Sequence, residues 1–254
     1  MSQEKILDKV KKLREITGVG FKDCKNAIDE NNGDIEKSIE FLRKKGIAKA
    51  TKKMTRVAAD GLISIHENEN KFSIIEINSE TDFVAKNNEF IKFVEEVSKI
   101  AFLKLGKMDD VLNSQMENKK TVKDNLVDLI SKIGEKITIR RCDYVGSKDL
   151  ANFSYTHSAV KKNVGKIGVL LSLKTKKSRN EILDFGKQLS MHIAASSPLA
   201  LDKEGLDQNL LKKEKEIITE ELKNSGKDNK IVDKIAIGKL NKFITDNTLL
   251  NQEW

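Results

Sequence analysis

Cysteine is scarce in this chain of 254 residues: Cys24 and Cys142 lie far apart and form no CxxC pair. That excludes a disulfide framework and a zinc knuckle, and a reducing compartment is the expected setting. Long apolar runs are also missing. The longest uncharged stretch, 188–201, contains His192 and Pro198 and falls short of the roughly 20 apolar residues that a bilayer span requires. The N-terminus is charged within four residues and shows no apolar segment followed by a small-residue cleavage site, so a cytoplasmic protein is expected. Aromatics are few, with one Trp, two Tyr and ten Phe, and none falls within 43–56, where seven basic residues stand with no acidic one among them. Proteins that bind single-stranded nucleic acid interleave aromatic platforms with positive charge. This stretch reads instead as a solvated linker.

Recognisable catalytic patterns are absent too. His66, His157 and His192 sit in unrelated contexts, and no HExxH, GxSxG, GxxxxGK[ST] or GxGxxG accompanies them. The chain is expected to be no enzyme, to hold no metal or cofactor, and to have no phosphate cradle of its own. Charge is plentiful: 47 Lys and Arg against 39 Asp and Glu leave +8. The surplus lies mostly in residues 1–56, with fifteen basic and nine acidic side chains. A surface of that kind is drawn to phosphates or acidic proteins.

Hydrophobic periodicity divides the chain into blocks. Ile6, Val10 and Leu13 fall at helical spacing and stop at Thr17-Gly18-Val19-Gly20; Cys24, Ala27 and Ile28 form a second stripe that breaks at Asn31-Asn32-Gly33. Asp34 is suited to N-cap a third helix carrying Ile35, Ile39 and Leu42, with Gly46 at its end. From Gly61 the period changes. Runs at 62–67 and 72–78 bracket Glu67-Asn68-Glu69-Asn70 as a hairpin. Phe90, Val94, Val97 and Ala101 mark an amphipathic helix, 126–133 a second, and 137–145 a strand; strands at 152–156 and 166–173 and a helix at about 180–195 follow. The fold class is therefore α+β. In 201–244, Leu206, Leu210 and Ile217, then Val232, Ala236, Leu240 and Phe243, make two stripes joined at Asn224-Ser225-Gly226. They suggest an antiparallel helical hairpin, either two helices of a globular domain or, as the heavy charge and narrow stripe favour, a projecting arm.

The most unusual local segment is Ser79-Glu80-Thr81-Asp82-Phe83-Val84-Ala85-Lys86, between a strand and the long helix. On residue chemistry, Thr81 would cap that helix, Asp82 would suit its positive end, and Phe83 would pack on the stripe of Phe90 and Val94. The alternative has Phe83 facing outward at a loop tip as a wedge for a partner. Composition and spacing leave both open.

Thr81-Asp82-Phe83-Val84-Ala85 resembles the hallmark pentapeptide of the bacterial-type elongation factor Ts family. Further blocks resemble that family in the same order: Thr17-Gly18-Val19-Gly20-Phe21-Lys22-Asp23-Cys24-Lys25, Asn32-Gly33-Asp34-Ile35-Glu36, Ala58-Ala59-Asp60-Gly61, the run 133–141, and Met191-His192-Ile193-Ala194-Ala195. The resemblance implies a three-helix ubiquitin-associated-like domain at 1–46, a basic linker at 47–56, and two related α+β core subdomains. These would span 57–145, and 146–200 with 237–254, with a coiled-coil hairpin inserted at 201–236. It implies guanine nucleotide exchange on elongation factor Tu, whose GDP form the factor binds. Asp82 and Phe83 would reach into the partner's nucleotide domain and disturb its magnesium and phosphate site, as part of a partner-binding segment Thr81, Asp82, Phe83, Val84 and Ala85. Tyr155 and His157 resemble a loop by which the second subdomain touches another domain of the partner, although Lys161-Lys162-Asn163 beside them is longer and more basic than the family pattern. Relatives with the coiled coil usually continue beyond the strand near Leu249, whereas this sequence ends at Trp254.

Two other classes of function fit parts of the chain. A basic ribosome- or RNA-associated factor would use 43–56 and bind in a steeply salt-dependent way. A ubiquitin-like-protein binder would use the first module, a reading that the bacterial-type core disfavours. The hairpin would serve self-association or extra partner contacts, and no membrane contact is expected.

Overall fold

The computed structural model describes residues 3–17, 19–53, 55–223 and 229–253. Three helices come first: α1 (Gln3–Thr17), α2 (Phe21–Glu30) and α3 (Ile35–Lys53). Their apolar stripes meet in a small core of Val10, Leu13, Cys24, Ala27, Ile28 and Leu42. Asp34 caps α3 as its chemistry suggests, accepting a hydrogen bond from the Lys37 amide at 3.0 Å. Gly18, in the turn expected after α1, lies outside the described residues.

The expected end of the third helix at Gly46 and the linker at 47–56 are both corrected, because α3 continues to Lys53. Gly46 is buried, and a Cβ there would lie 2.5 Å from Ser131 Oγ. It marks a close helix crossing rather than a terminus. Four basic residues around it are engaged: Arg43 with Asp124 at 3.1 Å, Lys44 with Glu40 at 2.8 Å, Lys45 with Asp23 at 3.1 Å, and Arg56 with Glu80 at 3.2 Å. Lys53 donates to the Gly134 carbonyl.

After α3 the expected hairpin forms, from β1 (Asp60–Asn68) and β2 (Lys71–Ser79). One helical turn, α4 (Asp82–Ala85), leads into α5 (Asn88–Leu103), α6 (Met108–Asn113), α7 (Val122–Ile133) and β3 (Ile137–Val145). Next come β4 (Ala151–His157), β5 (Val164–Gly165) and β6 (Ile167–Leu173). An antiparallel sheet runs in the order β3-β2-β1-β5, while β4 and β6 make a two-stranded antiparallel sheet. One face of the larger sheet carries Leu62, Ile75, Ile77 and Ile137 against Phe90, Val94 and Val97 of α5 and Leu129 and Ile130 of α7. Four large, fully buried side chains of that interface (Phe90, Ile75, Ile77 and Ile137) each contribute about 1.5–3 kcal/mol by leaving water. The other side holds Ile63, Ile65 and Phe72 with Leu170 of β6.

The described chain divides into two compact units, Met1–Glu181 and Ile182–Trp254. This differs from the subdomain expected at 146–200 with 237–254: its strands β4 and β6 belong with the first unit, and its helix α8 (Leu183–Ser196) with the second. Beyond α8, the second unit consists of α9 (Gln208–Lys223), α10 (Asn229–Asn247) and a 3-10 turn at Leu249–Asn251 where a strand was expected. Ala200 pairs with Thr248 in a parallel bridge. The helical arms are longer and later than 201–236. Their contact stripe also differs: Ile217 is 60% exposed, while Ile218 and Leu222 are buried against Ile235, Ala236 and Leu240. The turn at Asn224-Ser225-Gly226 and the side chain of Val232 lie outside the described residues. Among the described residues no helix is long and apolar enough to cross a membrane.

Candidate functional site

The segment after β2 is built as an apex on two anchors. Ser79 is buried and its hydroxyl donates to the Thr81 carbonyl at 2.9 Å, turning the chain out of the sheet. Thr81 is extended (φ −129°, ψ 160°) and precedes α4. On the far side Val84 and Ala85 are buried in the main core. Between the anchors Asp82 is exposed and Phe83 is 76% exposed. The amides of Lys86 and Asn87 close the turn onto the carbonyls of Phe83 (3.2 Å) and Val84 (2.9 Å).

Several expectations for this segment are thereby corrected. Phe83 does not pack on Phe90 and Val94, and the cap of the long helix is Asn87, whose side chain accepts from the Glu89 and Phe90 amides at 2.8 and 3.3 Å. Thr81 stands before α4 without a side-chain cap. Of the five residues expected to face a partner, Val84 and Ala85 are core residues, because α4 turns them inward as it carries Phe83 outward. Of the two orientations that composition and spacing left open for Phe83, the outward one is present, and Asp82 is exposed beside it.

The hydroxyl of Thr81 is occupied elsewhere. It donates to Glu135 Oε1 at 2.8 Å, and the Thr81 amide donates to Glu135 Oε2 at 3.0 Å. The neighbouring residues make the reciprocal connection: Glu80 Oε1 accepts from the Lys136 amide at 2.5 Å and also pairs with Arg56, while Lys136 Nζ donates to the Arg56 carbonyl at 2.8 Å. The Lys136 amide, helped by the Arg56 guanidinium, holds the Glu80 carboxyl below its ordinary range against the opposing effect of desolvation. Glu135 and Lys136 are presented by the turn after α7, where Gly134 takes the left-handed conformation (φ 87°) that glycine adopts without a Cβ penalty. Glu135 and Arg56 had no signal in local spacing, since they lie 54 and 24 residues from their partners.

At the apex, Lys86 donates to Asp82 Oδ2 at 2.8 Å and lies 5.8 Å from the centre of the Phe83 ring. The hydrogen bond to Asp82 raises the Lys86 pKa. A carboxylate, an aromatic ring and an ammonium group thus share one solvent-facing turn. Such a group can enter a partner surface but holds no nucleophile with a base.

Tyr155 and His157, two residues apart on β4, lie on one face and are joined by a 3.0 Å hydrogen bond between Tyr155 Oη and His157 Nδ1. His157 is exposed and Tyr155 half-buried. They belong to the two-stranded sheet, whereas the apex follows β2 of the larger one. The other histidines are elsewhere: His66 packs edgewise on Phe102, and His192 Nε2 meets Gln252 Oε1 at 2.8 Å.

Comparison with known sequences identifies the relatives of this chain. The sequence model for the family described as elongation factor TS matches residues 80–254, beginning one residue before Thr81. An elongation factor Ts from Parvibaculum lavamentivorans is 42% identical over 96% of this chain and 79% of its own length. One from Bartonella quintana is 43% identical over 96% of this chain and 80% of its own. A third, from Gluconobacter oxydans, is 38% identical over 96% and 81% respectively.

Proposed function

The chain belongs to the elongation factor Ts family, and on that premise we propose that it binds elongation factor Tu in the GDP form and promotes release of GDP, so that GTP enters. The observation that carries this reading is the exposed Phe83 on a braced apex. A large ring left in water on rigid support is unfavourable for the free protein and favourable for a complex, because burying it on association gains apolar area with little loss of side-chain freedom. Phe83 acts as the wedge that enters the nucleotide domain of the partner. Asp82 travels with it, and a carboxylate brought near a magnesium–phosphate site weakens nucleotide binding, both by repelling the phosphates and by competing for the cation.

Tyr155 and His157 form a second contact, with a different domain of the partner, and the hairpin arms add further contacts or self-association. Exchange breaks no covalent bond, so the absence of a nucleophile and base at the apex is no obstacle. Linkage then fixes a test: a factor that weakens GDP binding must itself be weakened by GDP. Labelled-GDP release from elongation factor Tu should accelerate when this protein is added, and excess GDP with magnesium should dissociate the purified complex. Indifference of the complex to nucleotide would refute the exchange mechanism.

A further inference from the structure

We propose that Glu135 is a positioning residue for nucleotide exchange, acting only through the apex that carries Phe83; this rests on the exchange reading above. Its carboxylate grips one residue with both oxygens, the amide and the hydroxyl of Thr81, at 3.0 and 2.8 Å. Charge-assisted bonds of this kind are stronger than neutral ones, and two from one carboxylate fix direction as well as distance. The hydroxyl is thereby withdrawn from the helix start that a threonine in this place would ordinarily cap. Thr81 is held extended instead, and Phe83 leaves the surface two residues later.

The second connection, from the Lys136 amide to Glu80, joins the residue before Thr81 to the residue after Glu135, so residues 80–81 and 135–136 form a two-rung cross-tie. Packing secures the other side of the apex through buried Val84 and Ala85. On the Thr81 side the buried residues stop at Ser79 and resume at Ile137, and between them Thr81 and Glu135 are only half-buried, held by these polar contacts. Without Glu135 the apex therefore loses direction while the core beneath it is unchanged. A group that must enter a partner in one orientation loses rate when its support loosens, and displacement of about 1 Å can cost as much as 100-fold.

The test uses the full chain and elongation factor Tu loaded with labelled GDP, measuring the maximal release rate and the factor concentration giving half of it. Wild-type acceleration is measured first; if it is absent, the exchange reading fails before Glu135 is at issue. With it present, Glu135→Ala should lower the maximal rate by about ten- to 100-fold, move the half-maximal concentration by less than about threefold, and leave the melting temperature within a few degrees. Glu135→Gln, which retains an acceptor for the Thr81 hydroxyl, should recover part of the rate. On a Phe83→Ala background Glu135→Ala should have a much smaller effect, limited to what the apex still delivers through Asp82, since residues acting as a unit are not additive. An unchanged maximal rate, or an equal loss on the Phe83→Ala background, overturns the proposal. If Glu135→Ala does not fold, Thr81→Val removes the hydroxyl rung alone and carries the same non-additivity forecast with a smaller loss.

Discussion

Replacing Phe83 by alanine should separate stability from exchange, and the size of each effect follows from where the ring sits. The residue is 76% exposed, so about a quarter of it is covered in the free protein. With a Phe side chain taken as about 200 Å², roughly 50 Å² is shielded, worth about 1 kcal/mol at about 25 cal/mol per Å². The contact with Lys86 adds about 0.5 kcal/mol at an exposed site. The total, about 1.5 kcal/mol at most, corresponds to a fall in melting temperature of roughly 3–6 °C for a chain of this size. Phe90→Ala is the internal reference, because that ring is fully buried and its truncation should cost about 3–5 kcal/mol. Exchange should rank the two variants in the opposite order. The exposed three quarters of the Phe83 ring, roughly 150 Å², becomes available for burial in the complex. A central aromatic anchor typically contributes at least about 2 kcal/mol, so labelled-GDP release should slow by about 30-fold or more. Thermal denaturation and stopped-flow release, run on the same preparations, read both quantities. Should Phe83→Ala melt like Phe90→Ala and exchange normally per folded molecule, Phe83 would be a core residue and the wedge mechanism would fall.

Gly46→Ala should destabilise the crossing of α3 and α7 because its Cβ meets Ser131 Oγ, a buried hydroxyl with no hydrogen-bond partner among the described residues. Adding Ser131→Ala should reverse the loss and leave the double variant about 1 kcal/mol more stable than wild type from helix propensity, as read by denaturant melts. Replacing the distal parts of α9 and α10 with a short linker should leave cooperative unfolding of the first unit intact, because Ile218 and Leu222 pack with residues of the hairpin itself; loss of that transition in calorimetry would place the arms in the core. Burial, reinforced by Lys99, lowers the pKa of His66 in the folded state. The unfolded chain then binds the proton more readily, so this contribution is complete above about pH 6.5 and is lost as pH falls from there through the folded value. His66→Gln should flatten that part of a stability–pH profile, and an unchanged slope would remove His66 as its source.

Much of the framework was legible because it depends on local periodicity. The stripes of α1, α2 and α5 pack in the cores that the spacing selected, and the runs that predicted the β1–β2 hairpin pair as expected. Signals that have two physical uses misled. Glycine stops helices and also permits close crossings, and Gly46 serves the second purpose. Phe83 stands seven residues before Phe90, which places both on one helical face only while the helix is continuous; the chain leaves helical register between Ala85 and Asn88, so the phase is lost. In α9, Ile217 and Ile218 are adjacent, and only the partner helix decides which is covered. Glu135 was beyond local reasoning, for its partner is in another segment of the chain.

Helix α3 belongs to two cores at once. Leu42 is buried in the N-terminal helical core and Ala50 in the core beneath the sheet. Its 19 residues extend about 28 Å at 1.5 Å per residue. A continuous helix transmits torque where a flexible tether would absorb it, so the small helical module is geared to the sheet and cannot swivel freely upon it. The core that receives Ala50 also lies beneath β2, the strand that leads into the apex. Fraying of the last turns of α3 would act as a clutch, releasing one body from the other without unfolding either.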